Sequence, residues 1–342
     1  MDLFDLSVFW YCIIIIAIMC YAMLDGFDLG VGILHLFVKE DYERRVFINA
    51  IGPLWDGNAV WLIIILGGLF AGFPYAYATL LSAFYTPVMF FIAGLILRTV
   101  AIEFRSKRPS VLWRKFWDFV FFFASLVIGF GAGILMGNFI HGIAINEEQV
   151  YMGDFWSFIN PYTVLVGITA VACFTMHGAL FLVMKTEGEL HDKLRSWVNR
   201  TIIFFIICYA ITTVATLIYQ PHMAVRLQER PVLFLVAILS MLAIANIPRE
   251  INKRRDGRAF LSSAVSIALL LALYGIGMFP VLLRSSINPE LYSLTVHNSD
   301  ASHMTLTVLA IIVLIGLPLV GIYGFITTRI FRGKVKIDHH SY

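Results

Sequence analysis

Three aspartates stand inside apolar runs long enough to cross a bilayer: Asp25 and Asp28 in Tyr21-Ala-Met-Leu-Asp-Gly-Phe-Asp-Leu-Gly30, and Asp56 in Pro53-Leu-Trp-Asp-Gly-Asn58. A carboxylate at the centre of a membrane helix costs about 2.5–3.5 kcal/mol on insertion scales. Acids retained there hold a cation, move protons or bind a polar group. Asp25 and Asp28 share one helix face, because residues three apart lie one turn above each other. Asn58, Tyr21 and the indole nitrogens of Trp55 and Trp61 bring further polar atoms to the same depth. Carboxyls gathered in low dielectric share protons, which suits a proton relay through Asp25, Asp28, Asp56 and Asn58. The bland alternative makes each acid a protonated hydrogen-bonding link between helices, or a cap on a break at Gly26 or Gly57.

Other candidate groups read more plainly. Arg98 and Glu103 precede Arg105, Lys107 and Arg108 and read as a solvated cluster at a membrane interface. Asp118 opens a span and either favours that helix's first turn or pairs with a neighbouring base. Of the nine histidines, only His177, in Cys173-Phe-Thr-Met-His-Gly178, lies deep in a span. An axial haem ligand needs a partner at its own depth, and none is evident, so His177 reads as a core histidine and no metal site is expected. The tail Asp338-His-His340 reads as a tail, although it has the donors to chelate a metal. The four cysteines are isolated in apolar spans and form neither a CxxC pair nor a disulfide framework.

Long helices must position these groups. The chain has 342 residues, 60% of them hydrophobic and only 14% charged, with mean hydropathy +0.84. A soluble domain carries about a quarter charged residues, so the composition defines a multi-span membrane protein. Apolar runs mark nine spans, at about 8–37, 50–72, 75–104, 117–141, 161–185, 198–220, 231–248, 259–284 and 304–331. If the spans alternate, 22 of the 25 basic residues fall on the face opposite the N-terminus, leaving Arg226, Arg230 and Arg284 on the other. By the positive-inside rule the N-terminus is outside and the C-terminus cytoplasmic. The expected fold is all-α and polytopic, a single integral-membrane domain over 1–342, with two four-helix bundles and one peripheral helix. Gly26/Gly30, Gly68/Gly72, Gly129/Gly133 and Gly133/Gly137 supply GxxxG spacings for close helix packing. No basic recognition element appears, so nucleic acid is not an expected partner.

The stretch Leu24-Asp-Gly-Phe-Asp-Leu-Gly-Val-Gly32, the pair Arg44-Arg45 and Asn49-Ala-Ile-Gly-Pro-Leu-Trp-Asp-Gly-Asn-Ala-Val-Trp61 resemble the first two helices of subunit II of cytochrome bd-type quinol oxidases. Phe104-Arg-Ser-Lys107, Thr186-Glu-Gly-Glu-Leu-His191 and Gly275-Ile-Gly-Met-Phe-Pro280 extend the resemblance over nearly the whole chain. The resemblance implies a non-haem subunit of a quinol:oxygen oxidoreductase in the bacterial cytoplasmic membrane, not catalytic alone. It implies a haem-bearing subunit I that carries haems b and d, quinol and O₂ as reactants of the complex, and room for a small single-span subunit. It further implies a proton-entry route past Asp25 and Asp56 with Asp28, Trp55 and Asn58 beside them, and leaves a structural quinone or lipid open. The runner-up is a secondary transporter or ion channel built on the same intramembrane acids.

Overall fold

In hydrocarbon a backbone must satisfy its own hydrogen bonds, so apolar runs of this length fold as helices. The computed structural model describes residues 5–337, and the tail histidines His339 and His340 lie outside that range. Twelve α-helices are seen among the described residues: α1 Leu6–Leu34, α2 Asp41–Ile51, α3 Trp55–Gly72, α4 Pro74–Ala83, α5 Tyr85–Phe104, α6 Val111–His141, α7 Pro161–Lys185, α8 Gly188–Tyr219, α9 His222–Glu229, α10 Phe234–Asn252, α11 Asp256–Met278 and α12 His303–Ile330. All but α2, α4 and α9 belong to the nine segments long and apolar enough to cross a membrane.

Three boundaries differ from the sequence expectation, each for a local reason. The run 75–104 is two helices, parted at Phe84 (φ −91°, ψ 24°). Pro87 is the cause: its ring collides with the carbonyl four residues back, that of Ala83, where α4 stops. The short helix α2 lies between the first two expected spans and runs into the expected start of the second, and Gly52-Pro53 separates it from α3, which begins at Trp55. The run 259–284 is helical only to Met278; Val281–Leu283 (β1) then pairs antiparallel with Leu294–Thr295 (β2).

Burial ranks the helices. About half of the most apolar window is buried in α1 (50%) and α7 (56%), against 11% in α12, so the first two form the core and α12 lies at the edge. α1 packs on α3, α6, α7 and α11, while α7 packs on α6, α8 and α11. The α1–α7 crossing depends on two glycines: a Cβ on Gly30 would lie 1.9 Å from the Phe174 carbonyl oxygen, and one on Gly178 would lie 2.5 Å from the Gly30 carbonyl carbon. Gly133 and Gly137 let α6 approach α7 in the same way, with a Cβ placed 2.6 Å from Gly167 Cα and 2.9 Å from Thr163 Cα, whereas Gly68 and Gly72 have only ordinary van der Waals neighbours.

The two ends of the bundle differ in chemistry. One end gathers basic side chains from successive helix termini: Lys193 on α8 bonds Glu43 on α2 at 2.6 Å, Arg195 on α8 bonds Asp256 on α11 at 2.6 Å, and Lys185 on α7 donates to the Phe331 carbonyl just past α12. The other end is covered by α4, α9, the β1–β2 hairpin and the 142–160 segment. These are tied together by the Ile143–Ser285 bridge and by a hydrogen bond from Thr79 to the Gln149 carbonyl.

Candidate functional site

Both acids of α1 are fully buried, at 0% exposure, where a lone charge is strongly disfavoured. Asp25 meets Arg98 of α5 in a two-pronged pair: Nη1 donates to Oδ2 at 2.9 Å and Nη2 to Oδ1 at 2.8 Å. The planar guanidinium matches the carboxylate edge, the strongest geometry available to such a pair. Arg98 is itself 1% exposed, so its reading as part of a solvated interfacial cluster is corrected. It sits well inside α5 rather than at its end, and α5 turns it toward α1 rather than toward the interface. That depth was the only signal in the sequence.

Asp28, one turn further along α1, has a different environment. Its Oδ2 accepts from Asn58 Nδ2 at 2.7 Å, and the same amide donates to the Leu24 carbonyl at 3.2 Å. Asp28 Oδ1 is buried without a hydrogen-bond partner among the described residues, as is the Tyr21 hydroxyl. Trp61 of α3 packs against Tyr21 and Ala17, in a cluster that Leu317 and Val320 of α12 also join, while Trp55 rests on the main core. The structure thus joins Asp25, Asp28, Asn58, Tyr21 and Trp61, and adds Arg98. Asp56, in the first turn of α3, is not among them: it is exposed on the outer surface of the chain. Asn58, two residues later, lies on the face that turns inward. A helix advances about 100° per residue, so residues two apart point to nearly opposite sides.

A second buried cluster lies at the basic end and was not legible as a unit. Asp118 of α6 accepts on Oδ1 from Arg105 Nε at 2.5 Å and pairs there with His35 Nε2 at 2.6 Å. On Oδ2 it accepts from Arg44 Nη1 at 2.6 Å and from Arg105 Nη2 at 3.4 Å. Arg105 also reaches Asp41 at 2.8 Å, which Arg114 holds at 3.0 Å. The end of α1, α2, the end of α5 and the start of α6 are locked together by this network. Sequence reading assigned Asp118 a cap or a basic partner; the structure shows the partner, and more than one.

His177 sits in the core of α7 with both ring nitrogens engaged, Nδ1 with Ser263 Oγ at 2.7 Å and Nε2 with the Met23 carbonyl at 2.9 Å. Its ring stacks on Phe260 with centroids 4.7 Å apart. Ligating an iron would break one of these bonds, so its surroundings fit a core histidine and not a haem ligand. Among the described residues no group of three or more His, Cys, Asp and Glu is placed to hold a metal ion.

Fold and site together define a polytopic helical membrane protein with a buried acid–base pair and an incompletely satisfied carboxyl beside it. The family described as cytochrome bd terminal oxidase subunit II matches residues 6–331. Similar proteins include the cytochrome bd ubiquinol oxidase subunit 2 of Bacillus subtilis (strain 168), 35% identical over 96% of both chains, and the cytochrome bd-I ubiquinol oxidase subunit 2 of Escherichia coli (strain K12), 30% identical over 92% of this chain and 91% of that one. A solved structure, the bd oxidase from Geobacillus thermodenitrificans, shares the fold with a TM-score of 0.79, covering 95% of this chain and 98% of its own at 18% identity. The chain belongs to the subunit II family of cytochrome bd terminal oxidases and is a multi-pass bacterial membrane protein.

Proposed function

We propose that this chain is the non-haem subunit of a cytochrome bd-type quinol:oxygen oxidoreductase, that it scaffolds a haem-bearing subunit I, and that it supplies part of a proton-entry route for reduction of O₂ to water. The observation that carries the proton role is the pairing of a neutralised acid with an unsatisfied one. Arg98 compensates Asp25, while Asp28 keeps a buried oxygen with no donor among the described residues. A carboxyl with a free oxygen can hold a proton there and release it to a neighbouring acceptor. Asp56, exposed on α3 near the basic end, is the group from which protons would pass inward by way of water, and Asn58 steadies Asp28 for their receipt.

The remaining parts of the reading follow from the family and from charge. The basic end faces the cytoplasm, which puts the N-terminus outside and the C-terminus inside. The family reading makes α1, α3, α5 and α6 one four-helix bundle and α7, α8, α10 and α11 the other, joined where α7 packs on α1 and α6, with α12 peripheral. Haems b and d belong to the partner, consistent with the engaged nitrogens of His177. Quinol and O₂ react within the complex, and a structural quinone, a lipid or a small single-span subunit can be accommodated. A transporter built on the same acids has no observation in its favour comparable to the family match along the whole chain.

The test is the Asp28→Asn variant in the intact complex, purified in mild detergent. Quinol-driven oxygen uptake should fall while the reduced-minus-oxidised haem spectrum and subunit stoichiometry stay at wild-type levels. Unchanged uptake removes the proton role and leaves a scaffold; a chain that purifies alone and colourless removes the oxidase assignment itself.

A further inference from the structure

The end of the bundle opposite the basic cluster holds only three of the 25 Arg and Lys residues: Arg226, Arg230 and Arg284. Two of the three converge on one cavity. Arg226, on α9, and Arg284, beyond β1, line a cavity of about 270 Å³ together with His222, Glu229 and the apolar Met278 and Phe279. Scattered exposed charges would need no explanation, whereas scarce charges brought together around a hollow do.

We propose that this cavity binds the phosphodiester headgroup of a membrane phospholipid. The two guanidinium groups present donors to an oxyanion, and Arg226 is held in place for this: its Nε donates to the Phe279 carbonyl at 2.7 Å and its guanidinium lies 4.5 Å from the centre of the Phe279 ring. These contacts engage the Nε and one face, and leave its terminal nitrogens for a ligand. Arg284 makes no side-chain hydrogen bond with any described residue. Arginine forks match phosphate oxygens better than a point charge does.

Charge balance selects the type of phosphate. Two arginines and the Glu229 carboxylate leave a single net positive charge, which a singly charged phosphodiester matches. A phosphate monoester would bring a second negative charge beside Glu229 with nothing to offset it. His222 and Glu229 answer to the polar part of the headgroup beyond the phosphate. Burial and the nearby Arg284 charge push the His222 imidazole down to about 4, so it is neutral near pH 7, and its buried Nε2 has no partner among the described residues. The volume suits a headgroup and not a whole lipid, being just under that of pockets for drug-sized ligands. Acyl chains would leave over Val225, whose side chain is exposed and lines the same cavity.

The experiment uses the purified oxidase complex, stripped of lipid by detergent exchange and then supplied with one of three additions: phosphatidylglycerol, diacylglycerol with the same acyl chains, or inorganic phosphate. Phosphatidylglycerol should raise the thermal unfolding midpoint, and neither of the others should match it. In the Arg284→Gln complex roughly tenfold or more phosphatidylglycerol should be needed for the same rise, as expected for a lost charge-assisted hydrogen bond, and Arg284→Lys should restore much of the response. Arg284 is the position to change because Arg226 also holds the Phe279 backbone. An equal response in wild type and Arg284→Gln overturns the proposal. Equal protection by diacylglycerol overturns it in favour of a surface for tails alone, and equal protection by inorganic phosphate overturns it in favour of an adventitious anion only.

Discussion

Asp118 and Asp28 are both aspartates buried among helix termini and spans, yet their surroundings assign them opposite roles. Each Asp118 oxygen has two donors or bases, drawn from Arg44, Arg105 and His35. Asp28 has one amide on one oxygen and, among the described residues, nothing on the other. A carboxylate saturated with cationic donors has no reason to exchange a proton and every reason to hold helices together. One that is half satisfied in a buried site keeps an oxygen at which a proton can be held. Counting partners, and not burial, therefore separates a clamp from a candidate relay.

Substitution should make this difference measurable. The largest effect is expected for Asp118→Ala, which strands Arg44 and Arg105 beside a buried His35; breaking such a network costs about 3–5 kcal/mol. Thermal unfolding of the complex, or the yield of haem-loaded complex, should show the loss. Asp25→Asn alone should cost about 3 kcal/mol, at the lower end of that range, because it leaves Arg98 unpaired in the core. The Asp25→Asn/Arg98→Met double variant should recover most of the loss, and a double variant no more stable than the single one would mean that the pair is not what stabilises this region. Asp28→Asn should change stability by less than about 1 kcal/mol, since the amide keeps an acceptor for Asn58. Its oxygen uptake should nevertheless fall by about a hundredfold, the lower end of the range for loss of a proton-transferring group. If stability falls and turnover per assembled haem does not, Asp28 is a clamp like Asp118. The smallest effect belongs to Arg114→Gln at the rim, where the Asp41 pair is partly exposed and should be worth under about 1 kcal/mol in an unfolding experiment.

Much of the architecture was open to direct reading. Apolar runs located all nine candidate membrane helices, and the Lys/Arg pattern put their basic ends together, where the structure finds Glu43–Lys193 and Arg195–Asp256. The site was half legible. Asp25, Asp28 and Asn58 were correctly grouped, because their spacing and depth follow from helix geometry. Arg98 was assigned to the interface although it lies well inside α5, and Asp56 was assigned to the cluster although α3 turns it outward. Depth along a helix can be counted residue by residue, whereas the direction in which a side chain points depends on how that helix is rotated against its neighbours.

That division has a physical basis. Hydropathy and length are local sums, so the chain by itself determined a helical membrane protein, the nine candidate spans seen among the described residues, and the position of each acid along its helix. Helix rotation and contact are settled by packing, here by the glycine crossing of α1 on α7 at Gly30 and Gly178 and by the turn that Pro87 imposes before α5. Only the tertiary structure could decide that Asp25 has an arginine, that Asp28 lacks a second donor, and that Asp56 faces outward. Partners come from other helices, and no pattern along one helix specifies them.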